Sequence, residues 1–254
     1  MIRKLIFMIA TAAAVMLSAC RPSANEKDNK QSELIVHAAA SLTDVFKSLA
    51  PEFEKANASV KITYQFAGTQ SLLNQIQSGA PGDVFASADE SYASVLVKSD
   101  FIISEPKVFA TNRLVIGVPS GNPKKILKLA DLGRPNAVVA LCAPEVPAGK
   151  YAREVFKKAG VDVKPSTLEP HVRGVYNKIS RGEVDAGIIY MSDLKTVRGE
   201  VDGIEIPSEV NVVARYPIAV LKSTKNREAA DAFVQFIFSE AAAKRLQMFG
   251  FAKP

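Results

Sequence analysis

Tryptophan is absent from this chain of 254 residues, and cysteine and histidine occur only twice each. A zinc site of Cys and His ligands would consume all four, and neither pair has ligand spacing, so such a centre is disfavoured. Aromatic residues are scarce, at 7%, and they do not gather with Lys and Arg into a base-stacking platform. The formal charge of +6 comes from 32 basic residues interleaved with 26 acidic ones, without a basic block. No nucleic-acid partner is therefore expected. Neither GxxxxGK[ST] nor a strand followed by GxGxxG is present, which argues against a nucleotide phosphate site. With 48% hydrophobic and 23% charged residues, long disorder and a disulfide scaffold are also disfavoured.

One long apolar run exists, at the start. Arg3 and Lys4 precede Leu5–Leu17, which is interrupted only by Thr11, and Leu17-Ser18-Ala19-Cys20 follows. That is the layout of a secretory signal peptide, too short for a comfortable membrane span. Residues 1–19 read as a lipoprotein signal peptide, with Cys20 lipidated and Cys20–Ser32 a solvated tether. Removing residues 1–19 leaves 30 basic against 26 acidic residues, or +4. Cys142 is then the one thiol besides Cys20, so no internal disulfide is expected. It sits in the apolar run Ala137–Cys142 and reads as a core residue.

From Glu33 onward short strands alternate with longer helices. Strands are expected at Leu34–Val36, Val60–Phe66, Asp83–Ala86, Arg113–Val118, Val138–Leu141, Val184–Tyr190 and Asn211–Val220. Helices are expected at Ser41–Ala56, Ser71–Gln77, Glu90–Lys98, Gly149–Ala159 and Arg173–Ser180, with closing helices in Arg227–Phe249. Repeated βα units imply an α/β fold with mainly parallel sheets flanked by helices. Val108–Val118 and Val212–Leu221 read as two connecting strands. They would divide the chain into lobe 1 (33–111 and 216–254) and lobe 2 (112–215), closing by hinge motion.

The loops after strands carry the chemistry. Ala38-Ala39-Ala40-Ser41 opens a helix, with Ser41 and Asp44 close to a capping box. Ala67-Gly68-Thr69, Val146-Pro147-Ala148-Gly149 and His171-Val172-Arg173-Gly174 repeat that logic. In an α/β sheet such loops lie at the carboxyl ends of strands, where ligands bind. Free N–H groups and the positive end of a helix dipole make each an anion seat.

Six segments together resemble a known family: Val36–Thr43, Phe66–Thr69, Gly79–Asp89, Val146–Gly149, Val172–Gly174 and Gly187–Tyr190. In order and content they are similar to the molybdate-binding proteins of ABC transporters, of the two-lobe (type II) periplasmic-binding-protein fold. The resemblance implies two lobes joined by two hinge strands and an oxyanion between them held by neutral donors. Ser41 and Thr69 would supply hydroxyl and backbone N–H, Ala148 and Val172 backbone N–H, and Tyr190 its phenol. Molybdate or tungstate would be the ligand, with no separate cofactor, no direct metal ligand and no catalysis. An ABC permease with its ATPase, and the membrane through Cys20, would be the partners of an exported monomer in the periplasm or on the outer face of the cell membrane. Thr69 stands where Ser is common, and its extra methyl narrows the cavity. His37 reads as structural, and Arg173 as an outward salt-bridging residue.

Two other readings remain open on the residues alone. A binder of the same fold for sulfate or phosphate would use the same turns, whereas a carboxylate binder would want an Arg clamp that the matched positions lack. An enzyme would pair Cys142 with His171, or Ser41 with His37, but no nucleophile elbow surrounds Ser41.

Overall fold

The computed structural model describes residues 31–196 and 199–254; the expected signal peptide, residues 1–19, and the expected lipidation site Cys20 lie outside them. Gln31–Pro254 makes one compact unit. The first three strands are β1 (Ser32–Ala39), β2 (Val60–Ala67) and β3 (Val84–Ala86), separated by α1 (Thr43–Ala56) and α2 (Thr69–Gln77) and followed by α3 (Glu90–Lys98). Ser32, expected in the tether, already belongs to β1, because it is in register with Val60 and its N–H donates to Ser59 O. Next come β4 (Lys107–Pro119), β5 (Val139–Cys142), α4 (Pro147–Ala159), β6 (Thr167–Glu169), α5 (Val172–Ser180), β7 (Ala186–Tyr190) and α6 (Met191–Thr196). The chain ends with β8 (Val201–Glu205), β9 (Val213–Val220), α7 (Arg227–Ile237) and α8 (Glu240–Met248).

The strands join in the order β2-β1-β3-β9-β4-β7-β5-β6, with β8 also on β4. Parallel pairs (β1 with β2 and β3, β5 with β6 and β7) form the two wings. Strands β4 and β9 run antiparallel to their neighbours between them. Along β4, Lys107–Arg113 pairs with β9, then Leu114–Gly117 pairs with β7. This is the two-lobe α/β fold with two connecting strands. The expected lobe boundaries, after Thr111 and after Arg215, fall inside β4 and β9, where those two residues are register partners.

Burial explains the helices. Val45, Phe46, Leu49 and Phe53 recur on one face of α1 and are all buried, the 3.6-residue stripe of a core-facing helix. Phe46 and Phe53 meet Phe233 of α7 edge to face, at 5.9 and 5.3 Å between centroids, a favoured aromatic geometry. On the opposite face of the sheet Leu72, Ile76, Phe85, Leu96 and Leu221 form a second core. Both faces of the first wing are thus covered, as a parallel sheet requires. Helix α4 stops at Gly160, whose φ of 64° is the left-handed C-cap that Gly accepts without strain. Cys142 is 1% exposed, and burial pushes its thiol well above the ordinary range. A core role follows, because the thiolate is the nucleophilic form. Among the described residues no helix is long and apolar enough to cross a membrane.

Candidate functional site

Four chain reversals converge at the carboxyl ends of β1, β2, β5 and β6. After β1 the chain turns through one 3₁₀ turn, Ala40–Leu42, before α1. Ser41 lies inside that turn, and no side chain caps it, so the expected capping box is absent. Ser41 Oγ instead meets Tyr216 Oη at 3.0 Å. Gly68 is the N-cap of α2, which starts two residues earlier than expected, at Thr69. Pro147 opens α4, where its missing N–H costs nothing. His171 caps α5, its Nδ1 accepting the Gly174 N–H at 3.1 Å, which puts the proton of the neutral ring on Nε2.

All five residues expected at the site, Ser41, Thr69, Ala148, Val172 and Tyr190, line one cavity, together with small neighbours (Ala39, Ala40, Ala67, Gly68, Ala88), Val146, Pro147 and His171. Its free volume is about 10 Å³, the space of about one water. The grooves on the outer surface offer about 300 to 410 Å³. A guest the size of a sugar or nucleotide calls for a pocket of about 300 Å³ or more. Thr69, Ala148 and Val172 occupy the first or second position of their helices, and Ser41 the second of its 3₁₀ turn. Backbone N–H groups at such positions have no acceptor within the helix.

The lining contains no Asp, Glu, Lys or Arg. Its hydroxyls are held in set ways. The Ala88 N–H donates to Thr69 Oγ1 at 3.2 Å, which leaves the Thr69 proton to be given elsewhere. Tyr190, 1% exposed, has a buried hydroxyl with no hydrogen-bond partner among the described residues. Burial pushes its phenol far up, so it keeps its proton. An orphaned buried hydroxyl costs roughly 1–3 kcal/mol, and at a cavity wall it marks where a ligand atom belongs. Among the described residues no group of three or more His, Cys, Asp or Glu is placed to hold a metal ion.

Charges stand just outside, in pairs. Lys150 of α4 meets Asp89 at 2.7 Å, and Gln70 Nε2 donates to Pro170 O at 2.9 Å. The sequence expectation for Arg173 needs correction. Its side chain is only 17% exposed and lies between Asp44 and the buried Asp193 instead of pointing outward, because α5 packs against the Ala40–Leu42 turn. His37 is 3% exposed and bonds Pro81 O at 2.9 Å, away from the cavity lining.

Asp193 gives a test of this surround. Its Oδ2 accepts the Tyr190 N–H at 2.9 Å, and Arg173 Nε is 3.8 Å away. Burial nevertheless pushes its carboxyl up to about 6. A carboxyl that binds its proton more tightly folded than unfolded contributes most stability below about pH 4, and that contribution is lost as pH rises to about 6. Asp193→Asn should therefore gain on the wild type by up to roughly 3 kcal/mol between pH 4 and pH 7, read as the difference between their melting temperatures at each pH. A difference that stays constant would show that Asp193 does not titrate in this window.

Comparison with known proteins agrees with this architecture. Residues 34–252 match the family model for bacterial extracellular solute-binding proteins. The chain belongs to that family. Among the relatives of this solute-binding protein, the molybdate-binding protein ModA of Mycobacterium tuberculosis (strain ATCC 25618 / H37Rv) is 39% identical over 221 residues, 87% of this chain and 85% of that one. The periplasmic molybdate-binding protein of Azotobacter vinelandii superposes with a TM-score of 0.77 at 19% identity, over 87% of this chain and 99% of that one. The sulfate-binding protein SubI of Mycobacterium tuberculosis H37Rv does so with a TM-score of 0.79 at 18% identity, over 87% of each chain. At these identities the two structural likenesses are of fold alone.

Tyr216, on β9 and 175 residues from Ser41, is the site residue that sequence reading missed. Within the apolar run Tyr216–Leu221 it reads as core, and only the fold brings its hydroxyl to a cavity residue.

Proposed function

We propose that this solute-binding protein captures molybdate, and tungstate with it, outside the cytoplasm and delivers the ion to an ABC permease and its ATPase. The observation that carries the reading is a small cavity with no charged side chain in its lining, ringed by helical first turns and two hydroxyls and walled by a phenol with no hydrogen-bond partner among the described residues. Such a lining is rich in donors, so it suits an ion that brings only acceptors. Each good hydrogen bond to a charged oxygen contributes about 1.5–3 kcal/mol, and several together offset the cost of burying a dianion. Phosphate keeps a proton near pH 7 and would set donor against donor. Sulfate is fully deprotonated but smaller, and the longer bonds of molybdate and tungstate reach more of the wall. The 39% identical relative that bears the name of a molybdate-binding protein supports the same choice.

Ser41, Thr69, Ala148, Val172 and Tyr190 bind the ion directly, without a resident cofactor and without catalysis. The lobes 33–111 with 216–254 and 112–215 close over it, and the protein works as a monomer tethered through a lipidated Cys20.

A thermal-shift panel tests the ligand. Molybdate or tungstate at 1,000 times its dissociation constant should stabilise the fold by about 4 kcal/mol, while sulfate and phosphate at the same concentration do markedly less. A melting point unmoved by molybdate and tungstate but raised by sulfate or phosphate would overturn the assignment.

A further inference from the structure

The ion pairs at the cavity mouth are polarised alike. Lys150 of α4 meets Asp89, the N-cap of α3, at 2.7 Å, and Arg173 of α5 meets Asp44 of α1. Both cations come from 112–215 and both carboxylates from 33–111, while the cavity lining itself carries no charge. The charges also adjoin the site along the chain. Lys150 is two residues beyond Ala148, and Asp89 follows Ala88, whose N–H donates to Thr69 Oγ1 at 3.2 Å.

The two pairs differ in what remains when the halves part. Arg173 has a carboxylate of its own half behind it, Asp193, with 3.8 Å between Nε and Oδ1. Lys150 has none: its polar contacts among the described residues, Asp89 and Ser91 Oγ at 3.3 Å, both lie across the mouth. On its own half it keeps the face of the Tyr151 ring, 5.8 Å from the centroid, which positions a cation without neutralising it. Asp89 is held independently, its Oδ1 accepting the Ser91 N–H at 2.7 Å and the Ser91 hydroxyl at 2.6 Å. Parting therefore turns one ion pair into a fixed anion on the first half and a positioned cation on the second. An approaching dianion is drawn to the second half and repelled by the first.

We infer that Lys150 draws the oxyanion onto the start of α4 and then, as the lobes close, gives its charge over to Asp89, so that the ion ends among neutral donors under a locked mouth. The inference rests on the proposed oxyanion function and adds the order of its steps, second lobe first.

Stopped-flow mixing with molybdate at several salt concentrations separates capture from locking. The proteins are the wild type, Lys150→Met, Lys150→Arg and Asp89→Asn, with the melting point of each empty protein as a check on folding. Met keeps an apolar stem over Tyr151, and Asn remains a good N-cap. At low salt Lys150→Met is expected to slow association about 3- to 10-fold. The gap should close near 1 M salt, where screening acts within about 3 Å. Lys150→Arg should keep the wild-type rate, and Asp89→Asn should associate at least as fast as the wild type but release the ion faster. A lysine that only latches the mouth would change dissociation alone, and alike in Lys150→Met and Asp89→Asn. Lys150→Met associating at the wild-type rate at low salt, Asp89→Asn slowed as much as Lys150→Met, or Asp89→Asn releasing no faster than the wild type overturns the inference. The wild type alone also tests it, since an association rate indifferent to salt overturns it even if a variant fails to fold. A wild type that ignores molybdate but binds sulfate overturns the ligand assignment alone, and the rates are then read with sulfate. A wild type that binds no oxyanion overturns both.

Discussion

Tyr190→Phe is expected to weaken molybdate binding roughly 10- to 150-fold while leaving the empty protein as stable as before, or slightly more stable. The two halves of that expectation come from one fact, the buried Tyr190 hydroxyl that has no hydrogen-bond partner among the described residues. In the empty fold the oxygen is a liability, and removing it relieves an unsatisfied buried dipole. In the bound state it donates to a charged oxygen, an interaction contributing about 1.5–3 kcal/mol, which is the range of fold-changes given. The ring stays, so the edge-to-face contact with Tyr216 at 6.1 Å is kept. Calorimetric titration and a melt of the ligand-free variant check both parts. A variant with a lower melting point and unchanged affinity would mean that the hydroxyl serves the fold and not the ion.

Gly149→Ala is expected to act in the opposite sense, on the fold first and on the ligand through it. Helix propensity alone favours Ala over Gly inside a helix by about 1 kcal/mol. Against that, a Cβ at Gly149 would stand 2.5 Å from Cys142 O and closer still to Ala143 O. Both are backbone atoms at the end of β5, and neither can yield by a rotamer change. Overpacking of this kind costs typically 1–3 kcal/mol and sometimes more, so the collision wins over propensity. The accommodation available is for α4 to lift from β5, which carries the adjacent Ala148 N–H away from the cavity. The variant should melt several degrees lower and bind molybdate at least tenfold more weakly. An unchanged melting point would show that the start of α4 shifts without strain.

The candidate site was legible in the chain wherever its chemistry is local. Ser41, Thr69, Ala148 and Val172 each follow a strand and open a helical turn, a pattern of a few consecutive residues. Pro147 marks one of those turns by its fixed backbone, and Gly68 another by leaving room for Pro170 O, which a Cβ there would meet at 2.5 Å. What stayed hidden depends on distance along the chain. Ser41 looks like a helix cap until Tyr216 arrives from β9 to pair with its hydroxyl. Arg173 looks like a surface cation until the fold sets it between Asp44 and Asp193. Among the elements, β6 and β8 escaped notice. Thr167–Glu169 is three residues long with no buried member, and Val201–Glu205 has one buried residue in five. Neither makes an apolar alternation, and both are strands because a neighbour's edge was open to them. The antiparallel course of β4 and β9 likewise follows from their crossing between wings, which local periodicity does not encode.

The packing of Tyr190 against Tyr216 has an optical consequence. In a chain without tryptophan, tyrosine emission has no indole to drain into, so the fluorescence of the native protein comes from its six tyrosines. Two of them are in ring contact at the cavity wall, and a third, Tyr151, donates to Ala88 O, which belongs to a cavity-lining residue. An ion that engages the Tyr190 hydroxyl alters the excited state of that chromophore and of the ring beside it. The occupied and empty protein should therefore differ in emission near 300 nm without any label, giving a direct optical signal for the rate at which the ion enters and leaves.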